Sequence, residues 1–177
     1  QNRRSCTNSS QIAVLLCAGS ANAADALAAI RLTYEEEGTN GLKKLLEAKR
    51  RNFEGCEELR HRLHDEMPKV GNADAAVDSE LRFLFDCFAD AADKFSDDKR
   101  KIRPGSGSAM YYIWLVNNNS PWAFEPKVKA TADGRLNGEA FSTSLAPSQG
   151  IKVDGVLSVL KSYSVIDYSR IMNGGPI

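Results

Sequence analysis

Glu57, His61, His64 and Asp65 stand three and four residues apart in the stretch EGCEELRHRLHDEM, a spacing that gathers carboxylates and imidazoles on one face of a helix. Such a face can hold a divalent cation, because imidazole nitrogen and carboxylate oxygen are ordinary zinc ligands. The pattern is not the H-x-x-x-H of a zincin, and the sequence fixes no third ligand. Two solvated histidines on a charged helix explain the same residues more simply, so neither a metal nor a cofactor is expected.

A second kind of chemistry is phosphate binding. Lys43, Lys44, Lys49, Arg50, Arg51, Arg60 and Arg62 crowd one predicted helix, and Lys99, Arg100, Lys101 and Arg103 follow further on. Together with the aromatic residues Tyr111, Tyr112, Trp114 and Trp122, they have the types that neutralise phosphates and stack on unpaired bases. Interleaved acids, among them Glu47, Glu54, Glu57, Glu58, Asp97 and Asp98, oppose that reading. Glu47 and Arg51 stand at i and i+4, where they can pair with each other and weaken the local potential.

The catalytic signatures are missing. There is no Walker loop, no G-x-S-x-G and no G-x-G-x-x-G, and PGSGS at 104–108 lacks the Lys-Ser/Thr that completes a phosphate cradle. Cys56 precedes His61 by five residues on one helix, which does not make a nucleophile and its base. Cys6, Cys17, Cys56 and Cys87 form no C-x-x-C pair. Two disulfides or four free thiols are both open, but Cys56 and Cys87 fall on apolar helical stripes, which favours core thiols.

Acids and bases balance at 23 each in 177 residues, so net charge argues neither for a polyanion partner nor for an acidic solvated tail. The chain opens on Gln1 rather than Met, as a processed or trimmed product or a polyprotein piece would. Arg3-Arg4, Ile12–Ala18 and Ala21-Asn22-Ala23 have the outline of a secretory signal, a reading set aside in favour of a folded segment. No apolar run reaches the roughly 18 residues of a membrane span.

The elements that must position these residues are read from periodicity. NSSQIAVLLCAG suits a short helix or strand. Asn22 as a cap, Asp25 in the first turn, dense alanine and Gly38 as a stop predict a helix over about 23–37. Leu42, Leu45, Leu46, Phe53, Cys56, Leu59 and Leu63 predict a third helix from Asn40 to Pro68. Val77, Leu81, Leu84, Phe85, Phe88, Ala92 and Phe95 predict a fourth, packed antiparallel on the third. Beyond Arg103 the texture changes: 111–116 suits a buried strand, KVKATADGRLNGEAF reads as a hairpin turning at Asp133-Gly134, and a short helix runs through about Tyr163.

The fold expected is therefore α+β. A charged antiparallel bundle of three to four helices occupies residues 1–103, a hinge 104–108, and a small β-containing unit 109–177; whether the two share one core is left open. The function expected is a non-enzymatic structural subunit of a larger assembly. Tyr111, Tyr112, Trp114, Trp122 and Phe124 would meet other protein subunits or a second copy. The alternative is a nucleic-acid-binding protein that uses Lys43, Lys44, Arg50, Arg51, Lys99, Arg100, Lys101 and Arg103. The compartment is not legible.

Overall fold

The computed structural model describes residues 11–96, 100–106, 128–142 and 144–171. Strand β1 (Gln11–Cys17) leads into helix α1 (Ser20–Arg50), followed by a short helix α2 (Glu57–His61), a π-helical turn (Arg62–Glu66), helix α3 (Ala75–Lys94), strand β2 (Arg100–Ser106) and helix α4 (Val156–Tyr163). β1 and β2 pair in parallel, from Gln11 opposite Arg100 to Cys17 opposite Ser106, so the intervening helices form a long crossover between two neighbouring strands.

Sequence chemistry explains where the helices break. Gly38 interrupts α1 with φ 62°, a left-handed conformation that costs glycine little. The predicted third helix breaks again at residues 51–56, where Asn52 and Phe53 take positive φ (56° and 60°). The break turns Phe53 inward, where it is 2% exposed and packs with Leu45, Ala48, Leu63 and Met67. Asp74 caps α3 by accepting from the Ala76 amide at 2.8 Å.

The main core joins both ends of the chain. Ala21, Ala24 and Ala28 of α1 pack with Val77, Leu81, Phe85 and Ala89 of α3, and small side chains on α1 allow the close approach. Leu145, Val159, Tyr163, Ile166 and Ile171 complete the same cluster, so the C-terminal stretch shares its core with the helices. Pro104, Gly105 and Ser106 continue β2.

The α+β expectation, a helical bundle followed by a β-containing unit, is corrected. The two strands found flank the helices, and among the described residues of 128–171 there is no strand. The expected hairpin is a tight turn instead, closed by Thr131 N to Arg135 O at 3.1 Å and Gly134 N to Thr131 O at 3.2 Å. Side chains replace the ladder that alternation implied. Arg135 donates to the carbonyls of Lys129, Leu136 and Glu139, and the Asn137 side chain accepts from the Ala130 amide at 2.6 Å. Residues 164–171 form turns. The aromatic run 111–116 lies outside the described residues.

Candidate functional site

Gly19 ends the first strand's connection with φ 71°, and a Cβ there would stand 3.2 Å from the Phe141 ring. The helix therefore starts at Ser20, which leaves Asn22 and Asp25 inside it with their side chains unused by capping. Three residues apart, they share a face and are 4% and 0% exposed. Asn22 Nδ2 donates to Asp133 Oδ2 at 2.8 Å, and Asn22 Oδ1 accepts from the Ser142 amide at 2.7 Å. Asp25 accepts from the Val70 amide at 2.8 Å through one oxygen and from Ser148 Oγ at 2.5 Å through the other. One helical turn thus fastens the 67–74 turn, the Asp133 turn and the 142–148 loop together.

These segments wall a cleft of about 610 Å³, lined by Asn22, Arg60, His64, Lys69, Asp133, Arg135, Glu139, Ser148 and Gln149 among others. Lys69 is 4% exposed, donates to the Leu63 carbonyl, and feels the charges of Asp25, Asp133 and Asp65. Burial pushes the Asp25 carboxyl up to about 6, partly opposed by the Lys69 charge and by the bonds from Ser148 and Val70. Burial likewise lowers the Lys69 ammonium, with Asp25 and Asp133 opposing it. The buried Arg135 guanidinium is pushed down by desolvation and held up by Asp133 and Glu139; it stacks 4.1 Å over the Phe141 ring.

The far wall comes from the short helices. Arg60 Nε donates to the Gly134 carbonyl at 3.1 Å, with a guanidinium nitrogen 3.7 Å from Glu139. Gly134 has φ +90°, and a Cβ there would lie 2.8 Å from His64 Cβ, so only glycine lets the Asp133 turn lie this close to the helix. Asn52, set at the helix break, accepts the Asn137 amide at 2.7 Å and ties that break to the same loop. The cleft presents both donors and acceptors to a small polar molecule, with the buried Asp25 carboxyl, raised by burial to about 6, bonded to its lining residue Ser148.

The residues singled out from sequence fare differently. His61 and His64 both direct Nδ1 at Asp65, at 2.7 and 2.8 Å, and these bonds, His64 first, hold the exposed Asp65 carboxyl below its usual range. No group of three potential metal ligands forms among the described residues. Lys43, Lys44 and Arg50 lie exposed on the last turns of α1, and Arg51 just beyond. Lys44 pairs with Glu37 at 3.1 Å, and Arg51 reaches Cys56 Sγ at 3.5 Å. Arg100, Lys101 and Arg103 take positions in β2. Lys99, Tyr111, Tyr112, Trp114, Trp122 and Phe124 lie outside the described residues. Cys17, Cys56 and Cys87 are free thiols; Cys87 is exposed, against the expectation of a core thiol, while Cys6 lies outside the described residues.

Asn22, Asp25, Lys69, Asp133 and Arg135 were missed. The available signals were two polar residues at i and i+3 in an alanine-rich helix, and a D-G-R turn whose ends carry opposite charges.

Comparison with known proteins places this arrangement. A family model described as pyruvate formate lyase-like matches residues 4–114. A probable dehydratase of Escherichia coli (strain K12) is 28% identical over 158 residues, covering 88% of this chain and 19% of its own. Trans-4-hydroxy-L-proline dehydratase of Clostridioides difficile is 25% identical over 153 residues, covering 86% and 18%. Among solved structures, the glycerol-bound B12-independent glycerol dehydratase of Clostridium butyricum superposes with TM-score 0.74 at 24% identity, covering 92% of this chain and 20% of that one. A glycyl radical enzyme of Archaeoglobus fulgidus superposes with TM-score 0.73 at 25% identity, with the same coverage of 92% and 20%. The chain spans about a fifth of the length of the curated relatives it matches. These matches overturn the expected non-enzymatic structural subunit, and its nucleic-acid-binding alternative with it: the relatives that align over most of this chain are dehydratases.

Proposed function

The chain belongs to the pyruvate formate lyase-like family, and from that membership we infer that it is part of a dehydratase that removes water from a small hydroxylated substrate. The observation that carries this reading is that the curated relatives aligned over most of the chain are dehydratases. The reaction class needs no external oxidant: a 1,2-diol loses water and becomes an aldehyde, with one C–O bond broken and a hydrogen moved to the neighbouring carbon. The substrate is a small polyol or hydroxylated amino acid, in keeping with the glycerol and hydroxyproline named for the relatives.

This chain's contribution is positional. Asn22 and Asp25 hold three loop segments in one register, and Lys69 and Arg135 fill the buried side of the cleft so that it keeps its shape without substrate. A glycyl radical would supply, relayed through a thiol, the removal of a hydrogen atom from a C–H beside a hydroxyl group. Hydrogen-atom exchange with a glycine Cα calls for a weak X–H bond, such as a thiol, in contact with it. On the side where a Cβ would project from the tightly packed Gly71 and Gly134, the neighbours are Pro147 and Val153 and His64 and Arg60, none of them a thiol. These glycines do not fit the group, and no step runs through it here.

The test uses the full-length polypeptide that carries this sequence, activated without oxygen and offered glycerol, propane-1,2-diol and trans-4-hydroxy-L-proline separately. Water-eliminated product from at least one is expected. An organic radical visible by electron paramagnetic resonance, with no product from hydroxylated compounds of this size, overturns the reading.

A further inference from the structure

Helix α4 is apolar on two sides. Its inner side, Val159 and Tyr163, is 7% and 1% exposed within the main core. Its outer side is not covered: Val156, Leu157 and Leu160 are 74%, 67% and 46% exposed, and Val153, just before the helix, is 39% exposed. Positions i, i+1 and i+4 fall within about 100° of helical arc, so the three side chains form one patch. A helix that is apolar all round is ordinarily a buried helix.

The size of the patch narrows what covers it. Three or four half-exposed aliphatic side chains offer a few hundred Å², well short of the roughly 800 Å² per partner in a stable two-chain interface. A segment tethered in the same polypeptide needs less area, because its effective concentration is about millimolar. The strand pair points the same way. β1 and β2 form a two-stranded parallel sheet with no third strand among the described residues, and parallel sheets are normally buried within larger ones. The curated relatives are about five times longer than this chain, which is long enough to supply the cover.

We propose that the outer face of α4, Val156, Leu157 and Leu160, is the seat of another apolar segment of the same polypeptide and not of a second copy. The exposed Lys152, Asp154 and Lys161 form its polar rim. The inference rests on family membership through the relatives' length, and not on the dehydratase reading.

The experiment places the photo-cross-linking residue benzoylphenylalanine at position 157 of the full-length protein, and at exposed Glu54 as a control, then maps cross-linked peptides by mass spectrometry. One dominant cross-link within the same polypeptide is expected from 157, with the protein band at monomer mass. A band at twice that mass, or a spread of minor products like that from 54, overturns the proposal. Should the bulky residue prevent folding, Leu157→Cys replaces it: maleimide labelling at least tenfold slower than at Lys152→Cys in the native protein is expected, and equal rates overturn it. Neither readout depends on turnover, so an inactive protein leaves the result intact.

Discussion

The two ends of α1 treat polar residues in opposite ways. The N-terminal end carries two short ones, Asn22 and Asp25, in a run of alanines; both are buried and bonded to segments more than forty residues away. The C-terminal end carries Lys43, Lys44, Lys49 and Arg50, mostly exposed and paired, where paired at all, across a single kink, as Lys44 is with Glu37. Long cations on a solvated face screen one another with their neighbours and water and bind little. Short polar groups removed from water must find partners inside the fold, so they fix where loops sit. What positions a site is burial with complete hydrogen bonding, and charge density alone is a poor guide to it.

Three measurements would break or sharpen this contrast. Asp25→Ala leaves the Val70 amide and Ser148 hydroxyl without their acceptor and takes from Lys69 the strongest of the carboxylate charges near it, so it should lower unfolding free energy by about 3 kcal/mol in urea titration. A loss near that of a surface substitution would abolish the distinction between the two ends. The pH response should be visible next. The Asp25 carboxyl titrates at about 6 in the folded chain and near 3.8 when unfolded, because burial disfavours its charge. The folded state therefore takes up this proton first as pH falls. The stability Asp25 contributes is present in full below the unfolded value and is lost as pH rises through about 6. Relative to Asp25→Asn, the wild-type protein should gain stability between pH 7.5 and 4.5; a gap unchanged with pH would show the carboxyl to be solvated. The smallest effect belongs to the other end: Lys43→Ala, Lys44→Ala and Arg50→Ala should each shift stability by less than about 0.5 kcal/mol. A larger change from any of them would mean that this face is covered.

Much of the helical content could be read directly. Gly38, expected to stop the first helix, only kinks α1, which runs on to Arg50, and the Val77–Ala92 periodicity becomes α3 with Leu81 and Phe85 in the core. The leucines keep helical spacing across Phe53, so the third predicted helix runs through it, with Gly55 the one sign of a kink or a close helix contact. The chain breaks there so that Phe53 can fill a pocket and Asn52 can meet a loop 85 residues away. The turn at Asp133-Gly134 was legible as a turn, but the ladder expected beside it was not formed, because Arg135 and Asn137 satisfy the backbone in its place. The cluster around Asp25 was invisible for a related reason. Asn and Asp at a helix start look like capping residues, and only the placement of Gly19 before Ser20 releases them for other work.

By itself the sequence determined what is local: which stretches are helical, where glycine or proline must interrupt them, and which faces are apolar, since each depends on neighbours within a turn or two. The tertiary structure decided the parallel pairing of two strands some ninety residues apart, the break at Phe53, and the gathering of Asn22, Asp25, Lys69 and Asp133 into one buried set. Those outcomes hang on which distant groups come out of water together, and a buried polar atom takes its partner from the fold.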